Sequence, residues 1–222
     1  MRSADRTALA KERAARLIAE GEELCPAVAH GKKIASSFWG YAWCRAIERW
    51  QDYESRLPAG RSLLRAGTVI DLRMEPGMIL AKVSDDELYD VRINLDPPEE
   101  ELLDTLRSRC TGRIGSIMDL VNGTLSEDTL AILSDPENGL FPEYGAINPI
   151  CNCIDDACLC SHAAAVLYGT GARLDDDPAL LFRLRGITPE TFFDIGAAAE
   201  TAAGETTFST EELSGMFGID LG

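Results

Sequence analysis

Between Cys151 and His162 the chain places four cysteines and a histidine within twelve positions: Cys151-Asn152-Cys153-Ile154-Asp155-Asp156-Ala157-Cys158-Leu159-Cys160-Ser161-His162. No other feature restricts the fold so strongly. Thiolate and imidazole at this density are the donors of a tetrahedral zinc shell, and four of them close it as a structural site. The expectation is one structural Zn²⁺ bound by Cys151, Cys153, Cys160 and His162, with Cys158 a spare thiol. The alternative is a Cys₄ site in which Cys158 replaces His162. A disulfide framework is not expected. The seven cysteines are an odd number, and Met1-Arg2-Ser3-Ala4-Asp5-Arg6 has no apolar leader, so the expected location is cytoplasmic.

The spacing also dictates local structure. Residues 146–153 read as extended, which puts Cys151 and Cys153 on one face. Residues 154–159 make a turn. Cys160 and His162 then open a helical run, Ala163-Ala164-Ala165-Val166-Leu167-Tyr168. The positive end of that helix favours thiolate at Cys160. Gly169-Thr170-Gly171 reads as its C-cap.

The remaining pattern is α+β. A helix is expected over 3–24 from Ala8, Leu9, Ala14, Leu17 and Ile18 at near-helical spacing. A second, aromatic-rich helix covers 37–54, and its stripe of Trp39, Trp43, Ile47 and Trp50 reads as core. A three-stranded antiparallel meander follows: Thr68–Met74, a turn at Glu75-Pro76-Gly77, Met78–Val83, and Leu88–Leu95. Central helices are expected after Pro98, over Ile114–Val121 and over Leu125–Leu133, then a loop over 134–146. C-terminal helices follow from Pro178 and Thr188. Residues 197–207 read as a linker, and Ser209-Thr210-Glu211-Glu212 begins a tail helix. The expected units are an N-terminal helix and extension over 1–30, an α+β region over 31–146, the metal finger over 147–186, and C-terminal helices and tail over 187–222.

Charge narrows the function classes. The net charge is −16, which argues against unassisted binding to a polyanion. Residues 31–66, however, carry seven basic and three acidic groups. The candidate nucleic-acid contacts are therefore Lys32, Lys33, Arg45, Arg49, Arg56, Arg61 and Arg65, with Arg73 a further one. Interleaved aromatics suit single strands. The sequence has no phosphate-binding G-x-x-x-x-G-K-[ST] loop, His30 has no nucleophile near it, and no run is long and apolar enough to span a membrane. Acids such as Asp85-Asp86 and Asp175-Asp176-Asp177 sit in turns or at helix starts, their usual structural places.

The pattern C-x-C-x6-C-x-H resembles the SWIM-type zinc finger. The similarity to bacterial SWIM proteins extends to Phe38-Trp39-Gly40, Ala42-Trp43-Cys44, Arg56-Leu57-Pro58, Gly60-Arg61-Ser62, Leu72 to Gly77, Gly139-Leu140-Phe141-Pro142, Ala163 to Asp175, Leu180 to Gly186, and Phe217-Gly218-Ile219. The resemblance implies a short β-β-α finger, zinc on the four residues above, and a non-enzymatic role in DNA binding or protein interaction, often beside helicase-like ATPases. Where the family commonly reads P-D-W after the second cysteine, this chain has Ile154, Asp155 and Asp156, so the Pro and Trp positions depart from the pattern. Ser161 replaces a lysine, and Tyr41 and Ala59 replace basic residues. These departures shift the expectation toward a protein partner, with direct DNA or RNA binding through 31–66 as the alternative.

Overall fold

The computed structural model describes residues 2–29, 33–50, 55–155 and 157–189. Helix α1 (Ser3–Ala19) is followed by α2 (Phe38–Glu48) and α3 (Leu57–Arg65). Strands β1 (Val69–Glu75), β2 (Met78–Ser84) and β3 (Leu88–Leu95) come next. Short helices α4 (Glu100–Cys110), α5 (Ile117–Asn122) and α6 (Glu127–Leu133) lead to β4 (Ile147–Cys151). The long α7 (Ser161–Asp176) and α8 (Ala179–Arg185) complete the described chain. The fold is α+β.

The sheet runs in the order β1-β2-β3-β4, antiparallel throughout. The expected three-stranded meander is correct in its strands but incomplete. β4 adds to β3 with Val91 opposite Cys151 and Leu95 opposite Ile147. The expected β-β-α finger is corrected accordingly. It has one strand of its own, which pairs with the meander, and residues 152–154 and 157–159 form bends rather than a second strand. A two-stranded hairpin by itself is marginal in water, so joining a larger sheet is the more stable arrangement. On the far edge, residues 25–27 hydrogen-bond along β1, through Leu72 N–H to Cys25 O and Ala27 N–H to Val69 O.

Helix α7 is the centre of the core. Residues His162 to Ala172 and Leu174 are buried. One side packs on α2 and α3, the other on the sheet. The tryptophan stripe lies where expected: Trp39, Trp43 and Ile47 are buried, and Trp50 is half-buried. Both buried indoles find acceptors, Trp43 Nε1–H on Leu167 O at 2.7 Å and Trp39 Nε1–H on Val121 O at 2.9 Å.

One expectation fails here and one helix is new, and glycine is involved in both. Gly169-Thr170-Gly171 is not a C-cap; α7 runs through it to Asp176. Helix α3 lies in a stretch, 55–67, for which no element was expected. Pro58 sits in its first turn, where its missing N–H costs nothing. The glycines permit close approach of helices. A Cβ on Gly60 would stand 2.5 Å from the Ala164 Cβ and 2.7 Å from the Ala164 carbonyl carbon. A Cβ on Gly171 would stand 2.6 Å from Cys44 Sγ. Helices α1 and α2 end at Ala19 and Glu48, short of the expected 24 and 54, of which 51–54 lie outside the described residues; the remaining elements agree with expectation to within a few residues. The helix expected from Thr188 lies almost wholly beyond the described residues, and the linker over 197–207 and tail helix from Ser209 lie entirely beyond them. Among the described residues no helix is long and apolar enough to cross a membrane.

Gly60→Ala places a methyl against backbone that cannot yield. It is expected to destabilise by roughly 1–3 kcal/mol, despite alanine's better helix propensity. Denaturant unfolding of both proteins checks this.

Candidate metal centre

Four donors come together from three local structures. Cys151 ends β4, held opposite Val91. Cys153 follows in the bend that leaves the strand. Cys160 is the N-cap of α7, and its Sγ accepts the Ala163 N–H at 3.4 Å. His162 stands one residue inside the helix. The ligand atoms of Cys151, Cys153, Cys160 and His162 all lie within 4.8 Å of one another. Two donors on one tetrahedral zinc are about 3.5–3.8 Å apart. The Cys151 Sγ to His162 Nδ1 separation is 3.8 Å. The donor set therefore fits a metal ion such as zinc.

Local electrostatics are those of a proton shared between thiols. The Cys160 thiol is drawn well below its ordinary range, first by the hydrogen bond from Cys151, with His162 and the Ala163 N–H assisting against burial. Cys151 moves up, because it keeps that proton and is partly desolvated. A cation replaces the shared proton, so metal binding releases protons here.

The histidine ring is fixed from outside the cluster. Tyr89 stacks on it with centroids 4.0 Å apart and planes 18° from parallel. His162 Nε2 lies 3.7 Å from Asp85 Oδ2. Asp85 belongs to the β2–β3 turn, and its other oxygen accepts from Arg6 Nε of α1 at 2.7 Å. The same turn is gripped by Arg13, which donates to Ser84 Oγ and to the carbonyls of Asp85, Asp86 and Glu87. Asp85-Asp86 had read only as turn residues. No local signal marked them: Tyr89 stands two residues before Val91 on β3, and only the pairing of Val91 with Cys151 brings it to the metal loop.

Cys158 is exposed and outside the cluster. The basic candidates divide. Lys33, Arg45, Arg61 and Arg65 line one cavity of about 350 Å³ between α2, α3 and residues 33–36. Within it Arg61 donates to Glu48 at 2.8 Å and to the Tyr168 hydroxyl at 3.0 Å. Arg56 lies elsewhere and pairs with Asp155 of the metal loop at 3.0 Å. Arg49 is exposed at the C-cap of α2, and Arg73 pairs with Asp71. Lys32, His30 and Asp156 lie outside the described residues.

Comparison with known proteins adds little chemistry. A Mycobacterium tuberculosis protein named "Uncharacterized protein Rv2102" is 25% identical over 185 residues, covering 82% of this chain and 66% of its own length. The chain thus spans just under two thirds of that relative. No family model and no solved structure matches the chain.

The thiols should differ sharply in reactivity. Cys44 is buried and its pKa is pushed up to about 12, chiefly by desolvation, so at pH 8 it stays a thiol. Cys110 is also buried and shifted upward by desolvation. In metal-loaded protein, iodoacetamide is expected to modify Cys158 first and to leave Cys44 and Cys110 untouched. Peptide mass spectrometry reads the order, and metal content should not change as Cys158 reacts.

Proposed function

We propose that this chain is a SWIM-type zinc protein, non-enzymatic and cytoplasmic, that acts as a protein-interaction module in a nucleic-acid-processing setting beside a helicase-like ATPase. One observation carries the reading: four soft donors, three thiols and an imidazole, converge within 4.8 Å. Four protein ligands leave no position for a reacting water, whereas catalytic zinc sites keep one open. Zinc, when bound, supplies cross-links whose binding free energy, on the order of 10 kcal/mol, is also folding free energy.

The chain's own residues define what a partner would meet. Arg56 on Asp155 ties the metal loop to the start of α3. Ile154 is 101% exposed and Ile150 56% exposed, so the loop and its strand present apolar side chains outward. Anchors of this kind serve recognition when a fixed scaffold holds them.

Purified protein is expected to hold one zinc per chain by elemental analysis. Cys160→Ala and His162→Ala should each lose metal and part of the helical circular dichroism together. Full retention in both variants would overturn the ligand assignment, whereas metal loss on Cys158→Ala would favour the Cys₄ set. Pull-down with zinc-loaded protein, with and without nuclease, separates a protein partner from a nucleic-acid tether.

A second reading has its own support. Lys33, Arg45, Arg61 and Arg65 line a single cavity whose lining acid is Glu48, and Tyr41 stands at it 56% exposed. Cations beside an exposed ring suit a phosphate-bearing single strand. Fluorescence anisotropy with a labelled oligonucleotide should then show affinity falling steeply with salt, and Arg45→Ala with Arg65→Ala should flatten that slope. Absence of binding at low salt removes this reading.

A further inference from the structure

We propose that Asp85 is a positioning residue for the metal centre: its carboxylate accepts the Nε2–H of His162 and so holds the ring with Nδ1 toward the thiols. The inference rests on the zinc reading above and extends it to the β2–β3 turn and to α1.

The geometry divides the two ring nitrogens. Nδ1 stands 3.8 Å from Cys151 Sγ, on the side of the donor cluster. Nε2 stands 3.7 Å from Asp85 Oδ2, on the opposite side. A nitrogen that ligates metal must be unprotonated, so the proton belongs on Nε2, and a buried N–H needs an acceptor. His162 is 8% exposed and the Asp85 side chain 14%. The gap of 3.7 Å is about 0.7 Å beyond a hydrogen bond and closes with a small swing of either side chain.

Asp85 is itself held for this task. Its Oδ1 accepts from Arg6 Nε at 2.7 Å, leaving Oδ2 to face the imidazole. Arg13 fixes the turn backbone through the carbonyls of Asp85, Asp86 and Glu87. Tyr89 fixes the ring plane by stacking. The neighbouring Asp86 also has a carboxylate oxygen within 4.8 Å of a ring nitrogen of His162, but its Oδ1 is engaged locally, accepting from the Tyr89 hydroxyl at 2.7 Å and the Glu87 N–H at 3.0 Å. Metal-bound histidines characteristically donate their second N–H to a carboxylate or carbonyl, which fixes tautomer and orientation. Here that carboxylate is carried by a turn remote in sequence and is anchored by the first helix of the chain.

The test uses the full chain, zinc-loaded, with three variants. Chelator competition is expected to show zinc binding weakened about 10–100-fold in Asp85→Asn. Asp85→Glu should recover most of the loss, and Asp86→Asn, which removes the adjacent charge, should change affinity less than about threefold. Long-range ¹H–¹⁵N correlation on wild type should find His162 protonated at Nε2 and metal-bound at Nδ1, with the Nε2–H resonance shifted in Asp85→Asn. Unchanged affinity in Asp85→Asn, an equal loss in Asp86→Asn, or the reverse tautomer in wild type would each overturn the proposal. The tautomer measurement decides even if Asp85→Asn does not fold. Failure of wild type to bind zinc would instead remove the metal reading itself, a separate outcome.

Discussion

Helix α7 must be packed on two sides at once, and the rest of the molecule is arranged around that demand. Its alanines and glycines let α2 and α3 approach on one side while the sheet covers the other. Burial of this extent requires every polar group to be satisfied. Trp43 reaches Leu167 O in the middle of the helix, and Thr170 bonds back to Val166 O at 3.0 Å. At the N-terminus, where helical N–H groups have no partner in the helix, the Cys160 sulfur accepts the Ala163 N–H. The metal donors are therefore not an appendage to the fold. Two of them are the cap and first turn of its most buried helix.

The other two donors arrive through the sheet. β4 brings Cys151 into register with Val91, and the loop beyond it carries Cys153. Three long-range links converge on this corner: β4 on β3, Arg56 on Asp155, and Asp85 beside His162. Each joins the 147–162 segment to a different part of the chain. Loosening any one would cost more than its own hydrogen bonds, because all three position the same small set of atoms.

What the sequence revealed and what it hid divides along the range of the interaction. The tryptophan stripe of α2, the strands β1 to β3 and the donor cluster were legible, because each depends on neighbours a few residues away. Helix α3 was hidden because Pro58 and Gly60 look like loop residues until Ala164 is seen against Gly60. The same holds for Gly169 and Gly171, taken for a helix end and found in a helix interior. Pairing of β4 with β3 links residues more than fifty positions apart, and no local pattern encodes it. Asp85 and Tyr89 were invisible as parts of the site for that reason. Their chemistry depends on register and not on spacing.

The edges of the sheet bear on how this molecule can associate. Residues 25–27 occupy the open side of β1. At the opposite edge, β4 is five residues long and carries Pro149, which has no N–H to offer an incoming strand. Among the described residues both margins are thus partly blocked against templated growth, the route by which exposed strands recruit other chains into fibrils. A partner that extends the sheet is disfavoured, so an interface of the kind proposed above would rest on side chains of loops and helices. Such an interface can be remodelled by point substitutions at the surface while the hydrogen-bonded framework beneath stays constant.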